Sequence, residues 1–196
     1  MTQVLTIASL KGGTGKTTSA ILLATALVRR GHTVTVIDTD PQGSATEWAQ
    51  RASDDGNDLE FQVTVGNART IARSMPTTDV VIIDCPPGNP QIIDAAIDAA
   101  DHVIIPVRPS AIEVDRMWET LDLADGAKAT VLLTSVILSA KATEDLRAVL
   151  NEEHVGVFPG NIPQREAIKN YFGVRPKQDL FGYDAVAATL MSEQEG

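Results

Sequence analysis

Short apolar runs rich in β-branched residues alternate with helix-period segments along most of this chain. Several of these runs are apolar at successive positions, which is typical of strands buried on both faces. The alternation predicts an α/β fold: a single doubly wound domain with a mainly parallel sheet and helices on both faces. The predicted strands are residues 4–8, 33–37, 61–65, 80–83, 102–107 and 130–135. The predicted helices are residues 17–30, 43–52, 68–75, 91–99, 113–125 and 143–153, then a short helix near 164–171 and a last helix near 183–191.

Length and composition limit the classes of protein to which this chain can belong. Its 196 residues fit one domain, 1–196, and its hydrophobic fraction of 43% is ample for one core. No stretch approaches the roughly 18 continuous apolar residues of a membrane span, and the N-terminus lacks the features of a signal peptide. A single cysteine, Cys85, excludes an internal disulfide and favours a cytoplasmic protein. The net charge of −10 means that any DNA contact needs a local basic patch or an assembly that concentrates one.

A glycine-rich stretch lies between the first predicted strand and the first predicted helix. Glycine lets backbone N–H groups approach a phosphate without a clash from Cβ, and the following helix points its positive end at the same anion. Lys16 would neutralise the β- and γ-phosphates of a nucleotide, and the Thr17 hydroxyl would ligate Mg²⁺. The general P-loop pattern opens with glycine, but Leu10 stands there in this chain and Lys11 follows it. The residues predicted to bind the nucleotide in this variant loop are Lys11, Gly12, Gly13, Thr14, Gly15, Lys16, Thr17 and Thr18.

Two further predicted strands end in acidic residues. Because ligands of doubly wound sheets lie beyond the carboxyl ends of the strands, these acids should gather beside the glycine-rich loop. Asp84 suits the Walker B role of holding Mg²⁺ directly or through water, and Asp40 is the candidate that orients the attacking water. Asp38 is interpreted as an indirect partner of the metal or of a lysine, with a capping or structural acid as the alternative. The predicted metal-binding residues are Thr17, Asp40 and Asp84.

Four short segments in a fixed order give this chain a family resemblance. They are residues 11–18 (KGGTGKTT), 37–43 (IDTDPQG), 83–88 (IDCPPG) and 105–109 (IPVRP). Together they resemble the ParA family of DNA-partitioning ATPases, which carry a deviant Walker A loop. The resemblance runs from Val4 to about Val114 and resumes weakly at Thr134 and at residues 162–165. No extra region precedes the first strand, so we expect no separate N-terminal DNA-binding domain, as in the small plasmid-borne ParA type that includes ParF.

The resemblance implies an ATPase that uses ATP, ADP and Mg²⁺. Lys11 looks like the signature lysine, which reaches across an ATP-dependent homodimer to the phosphates in the other subunit. The residues that the resemblance implies to be catalytic are Lys11, Lys16, Asp40 and Asp84, and those that it places near the nucleotide base are Pro106 and Arg108. The ATP-bound dimer would bind DNA without sequence preference, so the protein would be nucleoid-associated. A small centromere-binding partition protein would stimulate hydrolysis.

A local excess of basic residues near the C-terminus is the candidate DNA-binding patch. Its members are Arg165, Lys169, Arg175 and Lys177. They would contact DNA phosphates, and the alternative is an ordinary solvated face. Membrane binding is not expected, because residues 191–196 are acidic and lack the basic face that anionic lipid requires.

Two other functions remain open. A positioning ATPase for another cargo, such as a microcompartment or a chemoreceptor cluster, would share the chemistry and differ only in its partner. An ATP-dependent metabolic ligase on a related fold, such as dethiobiotin synthetase, would not need Lys11. The nitrogenase iron protein shares the variant loop but needs two cysteine ligands per subunit, which Cys85 alone cannot supply. Trp48 and Trp118 are expected to pack in the core or at an interface, with stacking on a base as the alternative.

Overall fold

The computed structural model describes residues 1–124, 129–137 and 141–192. The strands are β1 Gln3–Ile7, β2 Val34–Asp38, β3 Gln62–Val65, β4 Val80–Asp84, β5 His102–Val107, β6 Ala129–Leu133 and β7 Gly156–Val157. The helices are α1 Lys16–Arg29, α2 Ser44–Asp54, α3 Ala68–Arg73, α4 Pro90–Asp98, α5 Ala111–Leu123, α6 Lys141–Glu152, α7 Glu166–Lys169 and α8 Tyr183–Ser192. The described strands form one sheet in the order β3-β2-β4-β1-β5-β6-β7, and all neighbours pair in parallel. None of the helices in these ranges is both long and apolar enough to cross a membrane.

The predicted fold class is confirmed, and each predicted strand and helix has a counterpart whose ends differ by a few residues. The predicted end of the fifth helix, Asp125, lies outside the described residues. Strand β7 was not predicted, because two residues are too few to show a period. Strand β3 lies at the edge of the sheet, which leaves the side chain of Val65 76% exposed.

Two apolar layers cover the opposite faces of the sheet. Successive side chains of a strand point to opposite faces, so Leu5 packs in one layer and Val4 in the other. Helix α1 lies in the layer of Leu5 and is buried on nearly all sides. Helix α8 covers its outer side, where the hydroxyl groups of Ser19 and Tyr183 are hydrogen-bonded at 2.8 Å.

The register of three adjacent strands brings their carboxyl ends together. Asp84 at the end of β4 pairs with Ile7 of β1 on one side and with Asp38 of β2 on the other. The backbone N–H of Thr39 and its hydroxyl both donate to the Asp84 carbonyl, at 3.1 and 2.7 Å. The loops after β1, β2 and β4 therefore begin side by side, at the edge where doubly wound sheets bind ligands.

We expect Tyr183→Phe to lower the free energy of unfolding by about 1 kcal/mol, because the buried Ser19 hydroxyl loses its partner. Urea unfolding measures the change. The matched control is Tyr171→Phe, whose hydroxyl donates to the Asp179 carbonyl in an exposed setting and should contribute less. Equal unfolding midpoints for the wild type and Tyr183→Phe would contradict the expectation.

Candidate functional site

The loop between β1 and α1 has a backbone suited to holding an anion. Gly13 and Gly15 have φ angles of 79° and 96°, in the left-handed region that strains other residues. Gly15 is the N-cap of α1, so no side chain bonds the free N–H groups of the first turn, and no acidic residue lies there. These N–H groups and the positive end of the helix remain available to a negatively charged ligand.

Lys16, the first residue of α1, is folded over the loop. Its side chain is largely buried, and its Nζ donates to the Lys11 carbonyl at 2.9 Å. Burial lowers the pKa of Lys16, while the nearby carboxyl groups of Asp84 and Asp40 raise it. The ammonium group is thus held at the loop by one hydrogen bond and by acids that lie behind it.

Asp84 is the most perturbed acid of the site. Its side chain is fully buried, and neither carboxyl oxygen accepts a hydrogen bond of normal geometry. Burial raises the pKa of Asp84 to about 7, and the charge of Asp38 adds to the shift. The Thr17 hydroxyl and the Lys16 ammonium lower this pKa, although the hydroxyl is not aligned for a normal hydrogen bond.

A divalent cation would suit the two Asp84 carboxyl oxygens, which accept no hydrogen bond of normal geometry. A buried carboxyl group without a partner is costly, and a hard cation such as Mg²⁺ prefers carboxylate, hydroxyl, phosphate and water oxygens. Asp84 and Thr17 supply the first two kinds of oxygen. Within the described residues there is no group of three or more His, Cys, Asp or Glu side chains able to hold a metal ion. A Mg²⁺ ion at this place would therefore depend on phosphate and water oxygens as well.

Asp38 and Asp40 have different roles in the loop after β2. Asp38 is buried and accepts hydrogen bonds from the backbone N–H of Thr46 at 2.8 Å and from its hydroxyl at 2.7 Å. It also accepts from the backbone N–H of Asp40 at 3.2 Å. These contacts favour the structural alternative for Asp38, which fixes the loop and the start of α2. Asp40 is half-buried, and its Oδ1 accepts from the Gln42 N–H at 2.9 Å.

A cavity of about 370 Å³ joins these elements. The phosphate loop forms its floor, the β2–α2 segment forms one wall, and residues from the β4–α4 and β5–α5 loops and the C-terminal region complete it. Its lining residues are Gly12, Gly13, Gly15, Lys16, Thr17, Thr18, Asp40, Ser44, Trp48, Pro87, Arg108 and Phe172. Most of the predicted phosphate-binding residues, and the predicted water-orienting residue Asp40, are thus brought together around one space of the size of a small-molecule site.

A second cavity of about 140 Å³ adjoins the first and shares Gly15, Thr18 and Arg108 with it. Its other wall is formed by residues after β6, around α7 and at the start of α8, and none of them was predicted to contact the nucleotide. These residues are Thr134, Ser135, Ile162, Pro163, Gln164, Arg165, Ile168, Lys169 and Tyr183. The Thr134 hydroxyl donates to the Thr14 carbonyl at 2.9 Å, which ties this wall to the phosphate loop. The weak resemblance at Thr134 and residues 162–165 was the only signal for it.

The remaining predicted nucleotide contacts are distributed unevenly. Arg108 lines both cavities, and Thr14 is buried beneath the loop with a hydroxyl that has no partner. Pro106 lies inside β5 and lines neither cavity, so its contact with the base stays a prediction. Lys11 is half-buried and does not line the cavity of its own subunit. Among the described residues, its side chain has no hydrogen bond or ion pair.

The structure divides the four candidate DNA-binding cations into two pairs. Arg165 and Lys169 lie beside the second cavity, and Lys169 has only an exposed contact of 3.3 Å with Glu166. Arg175 instead forms an ion pair with Glu60, and Lys177 Nζ donates to Asn57 Oδ1 at 2.6 Å. These two contacts hold the second pair at the acidic loop after α2. The four cations therefore do not form one free patch.

Comparison with known proteins identifies the family. A family model described as the CobQ/CobB/MinD/ParA nucleotide binding domain matches residues 5–173. This chain belongs to that family. The predicted relation to ParA proteins and the predicted nucleotide ligand are confirmed. Within that larger family, the chain belongs to the ParA-like family of positioning ATPases.

The relatives of this ParA-like protein include both ParA and carboxysome distribution proteins. Protein ParA of Rhizobium radiobacter is 34% identical over 181 residues, which cover 86% of this chain and 82% of that protein. Maintenance of carboxysome distribution protein A of Halothiobacillus neapolitanus is 27% identical over 182 residues, covering 85% and 82%. Among solved structures, a candidate plasmid partition protein of Borrelia burgdorferi bound to AMPPNP has a TM-score of 0.83 at 18% identity, covering 98% of this chain and 100% of that one.

Lys16→Ala should weaken ATP binding by about 10- to 100-fold, because the phosphates lose a charge-assisted hydrogen bond in a buried site. Isothermal calorimetry measures the affinity. Lys141→Ala, which removes an exposed lysine at the start of α6, is the control and should bind ATP like the wild type. Retention of wild-type affinity by Lys16→Ala would show that this side chain does not hold the phosphates.

Asp84→Asn should remove a pH dependence from the stability of the metal-free protein. The folded-state pKa of about 7 lies above the ordinary value of 3.8. Between these values the folded protein keeps a proton that the unfolded chain has lost, so wild-type stability falls as the pH rises through this window. In thermal unfolding without Mg²⁺, the stability of the variant relative to the wild type should therefore increase between about pH 4 and about pH 7.

The matched control for this comparison is Asp94→Asn, an exposed acid on α4. Its stability relative to the wild type should stay constant across the same range. A constant difference between Asp84→Asn and the wild type would contradict the assignment of a raised pKa to Asp84.

Proposed function

We propose that this chain is an ATP-hydrolysing switch that dimerises on ATP, binds DNA without sequence preference and partitions a plasmid. The observation that carries the proposal is the state of Lys11. This lysine lies at the start of the phosphate loop, and its side chain has no hydrogen-bond or ion-pair partner among the described residues and does not line its own cavity. A cation so close to a phosphate site, yet outside it, is suited to act on a nucleotide held by a second subunit.

The residues of one subunit would bind ATP and prepare it for hydrolysis. The N–H groups around Gly13 and Gly15 and the Lys16 ammonium hold the phosphates. Thr17 and Asp84 would hold Mg²⁺, which would supply positive charge against the phosphates. Asp40, on the cavity wall, orients the attacking water by accepting a hydrogen bond from it.

The second subunit would supply the charge that completes the site. In phosphoryl transfer, negative charge develops on the transferred group and the leaving oxygen, and a cation placed against them stabilises the transition state. Lys11 of each subunit would serve the nucleotide of the other. Dimerisation would then depend on ATP, and hydrolysis would return the protein to the monomer, as a switch requires.

The DNA-binding face would include Arg165 and Lys169. Both lie beside the nucleotide cavities. Lys169 has an exposed ion pair with Glu166 at 3.3 Å, and Arg165 has no ion pair among the described residues. Nucleotide binding and DNA binding would thus occur on adjoining surfaces. Arg175 and Lys177 are engaged with Glu60 and Asn57 and fit a structural role better.

The alternative function is a positioning ATPase for a cargo other than a plasmid. It is supported by the relatives, which include carboxysome distribution proteins that align with most of the chain. Such a protein would use the same site chemistry with a different partner. A metabolic ligase is the third alternative, and it would act without dimerising through Lys11. Rapid turnover of a small-molecule substrate by the monomer would favour the ligase.

The experiment for the dimer switch is Lys11→Ala. We expect the wild type to sediment as a dimer with a non-hydrolysable ATP analogue and as a monomer with ADP. Lys11→Ala should bind ATP with nearly wild-type affinity, since the residue lies outside its own cavity, but remain monomeric with the analogue. If Lys11→Ala dimerised with the analogue as tightly as the wild type, the proposed action of Lys11 on the other subunit would be wrong. Arg73→Ala, an exposed cation at the end of α3, is the control.

The DNA face is tested by two paired charge reversals. Arg165→Glu with Lys169→Glu should weaken ATP-dependent binding to arbitrary duplex DNA and flatten its salt dependence, because fewer phosphate contacts release counterions. Arg175→Glu with Lys177→Glu changes the net charge equally and should affect DNA binding less. Filter binding at several salt concentrations measures both slopes, and the reverse ranking would move the DNA face to the second pair.

A further inference from the structure

A non-helical segment near the C-terminus crosses the outside of α2. We call residues 172–178 the C-terminal strap. Trp48 Nε1 donates to the Val174 carbonyl of the strap at 2.9 Å. Arg29, the last residue of α1, donates to the Pro176 carbonyl at 2.9 Å and to the Gln178 carbonyl at 2.8 Å. The strap is therefore tied to two helices, and most of it lies beyond residue 173, where the family match ends.

The beginning of the strap forms an aromatic wall of the larger cavity. The Phe172 and Trp48 rings meet edge to face, with centroids 5.5 Å apart, and both side chains line the cavity. The Arg51 guanidinium lies 5.1 Å from the centre of the Phe172 ring. Gly173 has a φ of 76°, and a Cβ there would lie 2.9 Å from the Arg51 side chain, so the strap approaches α2 closely.

Helix α2 packs against β2, β3 and α1, but it buries only one large side chain. Its buried residues are Ala45, Trp48 and Ala52, so Trp48 is its one large buried side chain. On the sheet side, Asp38 holds Thr46 in the first turn of the helix. On the outer side, the strap holds Trp48, two residues further on. The first turn of α2, together with Trp48 directly after it, is thus clamped between the end of β2 and the strap.

The clamped turn follows directly on the loop that carries Asp40. The Gly43 N–H donates to the Asp40 carbonyl at 2.8 Å, and the helix begins at the next residue, Ser44, which lines the same cavity as Asp40. A small shift of α2 would therefore carry Asp40 with it. Misplacement of a reacting group by about 1 Å can cost on the order of 10²-fold in rate.

We propose that Trp48 and Phe172 are positioning residues for hydrolysis, through which the C-terminal strap fixes α2 and so the place of Asp40. This inference rests on the proposed ATP hydrolysis. Neither side chain exchanges a proton with the substrate; their effect runs through the backbone of α2. Loss of the strap contacts should lower the rate of hydrolysis while the phosphate loop, formed by other elements, keeps its affinity for ATP.

The test compares kcat with ATP affinity in three variants. Phe172→Ala removes the aromatic wall, Phe172→Tyr keeps the ring, and Trp48→Phe keeps an aromatic side chain but removes the donor to the Val174 carbonyl. Trp118→Phe, on α5, is the matched control. Phosphate release gives kcat, calorimetry gives the dissociation constant for ATP, and thermal unfolding reports stability.

We expect Phe172→Ala and Trp48→Phe to lower kcat by about 10- to 100-fold, with an ATP dissociation constant within about twofold of the wild type. Phe172→Tyr should restore most of kcat, and Trp118→Phe should match the wild type. Because Phe172 is 38% exposed, Phe172→Ala decides the question even where Trp48→Phe does not fold.

Unchanged kcat in Phe172→Ala would overturn the positioning role, as would a loss that Phe172→Tyr does not reverse. Equal losses of kcat and ATP affinity would also overturn it, because they would show that the strap contributes to ATP binding and not to the position of Asp40. A wild-type protein that releases no phosphate would overturn the proposed hydrolysis and this inference together, whereas an active wild type with an equally active Phe172→Ala would overturn this inference alone.

Discussion

The buried carboxyl group of Asp84 is the constraint on which the rest of the site depends. It lies at the end of β4, between β1 and β2, and no described residue gives it a hydrogen bond of normal geometry. Burial raises its pKa to about 7, so the protein keeps at its centre an acid that is stabilised by a proton or a cation. The parallel register places Asp84 between Ile7 and Asp38, so the folding energy of the sheet has to offset the cost of burying this carboxyl group.

Hydrogen bonds from neighbouring loops hold the rest of the site around this group. Thr39 bonds the Asp84 carbonyl, and Asp38 fixes both Thr46 and the backbone of Asp40. Thr134 reaches from the end of β6 to the phosphate loop. Each loop is tied to an adjacent strand end, which limits its movement. The side chain of Lys11 has no such tie among the described residues, in keeping with a partner outside its own subunit.

The parts of the structure that follow from local sequence could be predicted. The strand–loop–helix order around Gly13, Lys16 and Thr17 follows from one short contiguous segment. The acids at the ends of two strands follow from two others. The second cavity could not be derived in this way, because its wall joins Thr134 to residues around Ile162 through contacts between distant parts of the chain. The separation of the basic residues could not be predicted either. Their spacing suggested one patch, but Arg175 and Lys177 contact Glu60 and Asn57, which lie more than a hundred positions away in the sequence. Strand β7 was too short to show a pattern.

The most direct measurement of the central claim mixes two inactive variants. Lys11→Ala should lack the cation that acts in the other subunit, and Asp40→Ala should lack the acid that orients water in its own. In a mixed dimer, the Lys11→Ala subunit keeps its own Asp40 and receives Lys11 from its partner, so one complete site forms. We predict ATP hydrolysis by the mixture well above the sum of the separate variants. A mixture that hydrolyses no faster than that sum, although mixed dimers form, would contradict a site shared between two subunits.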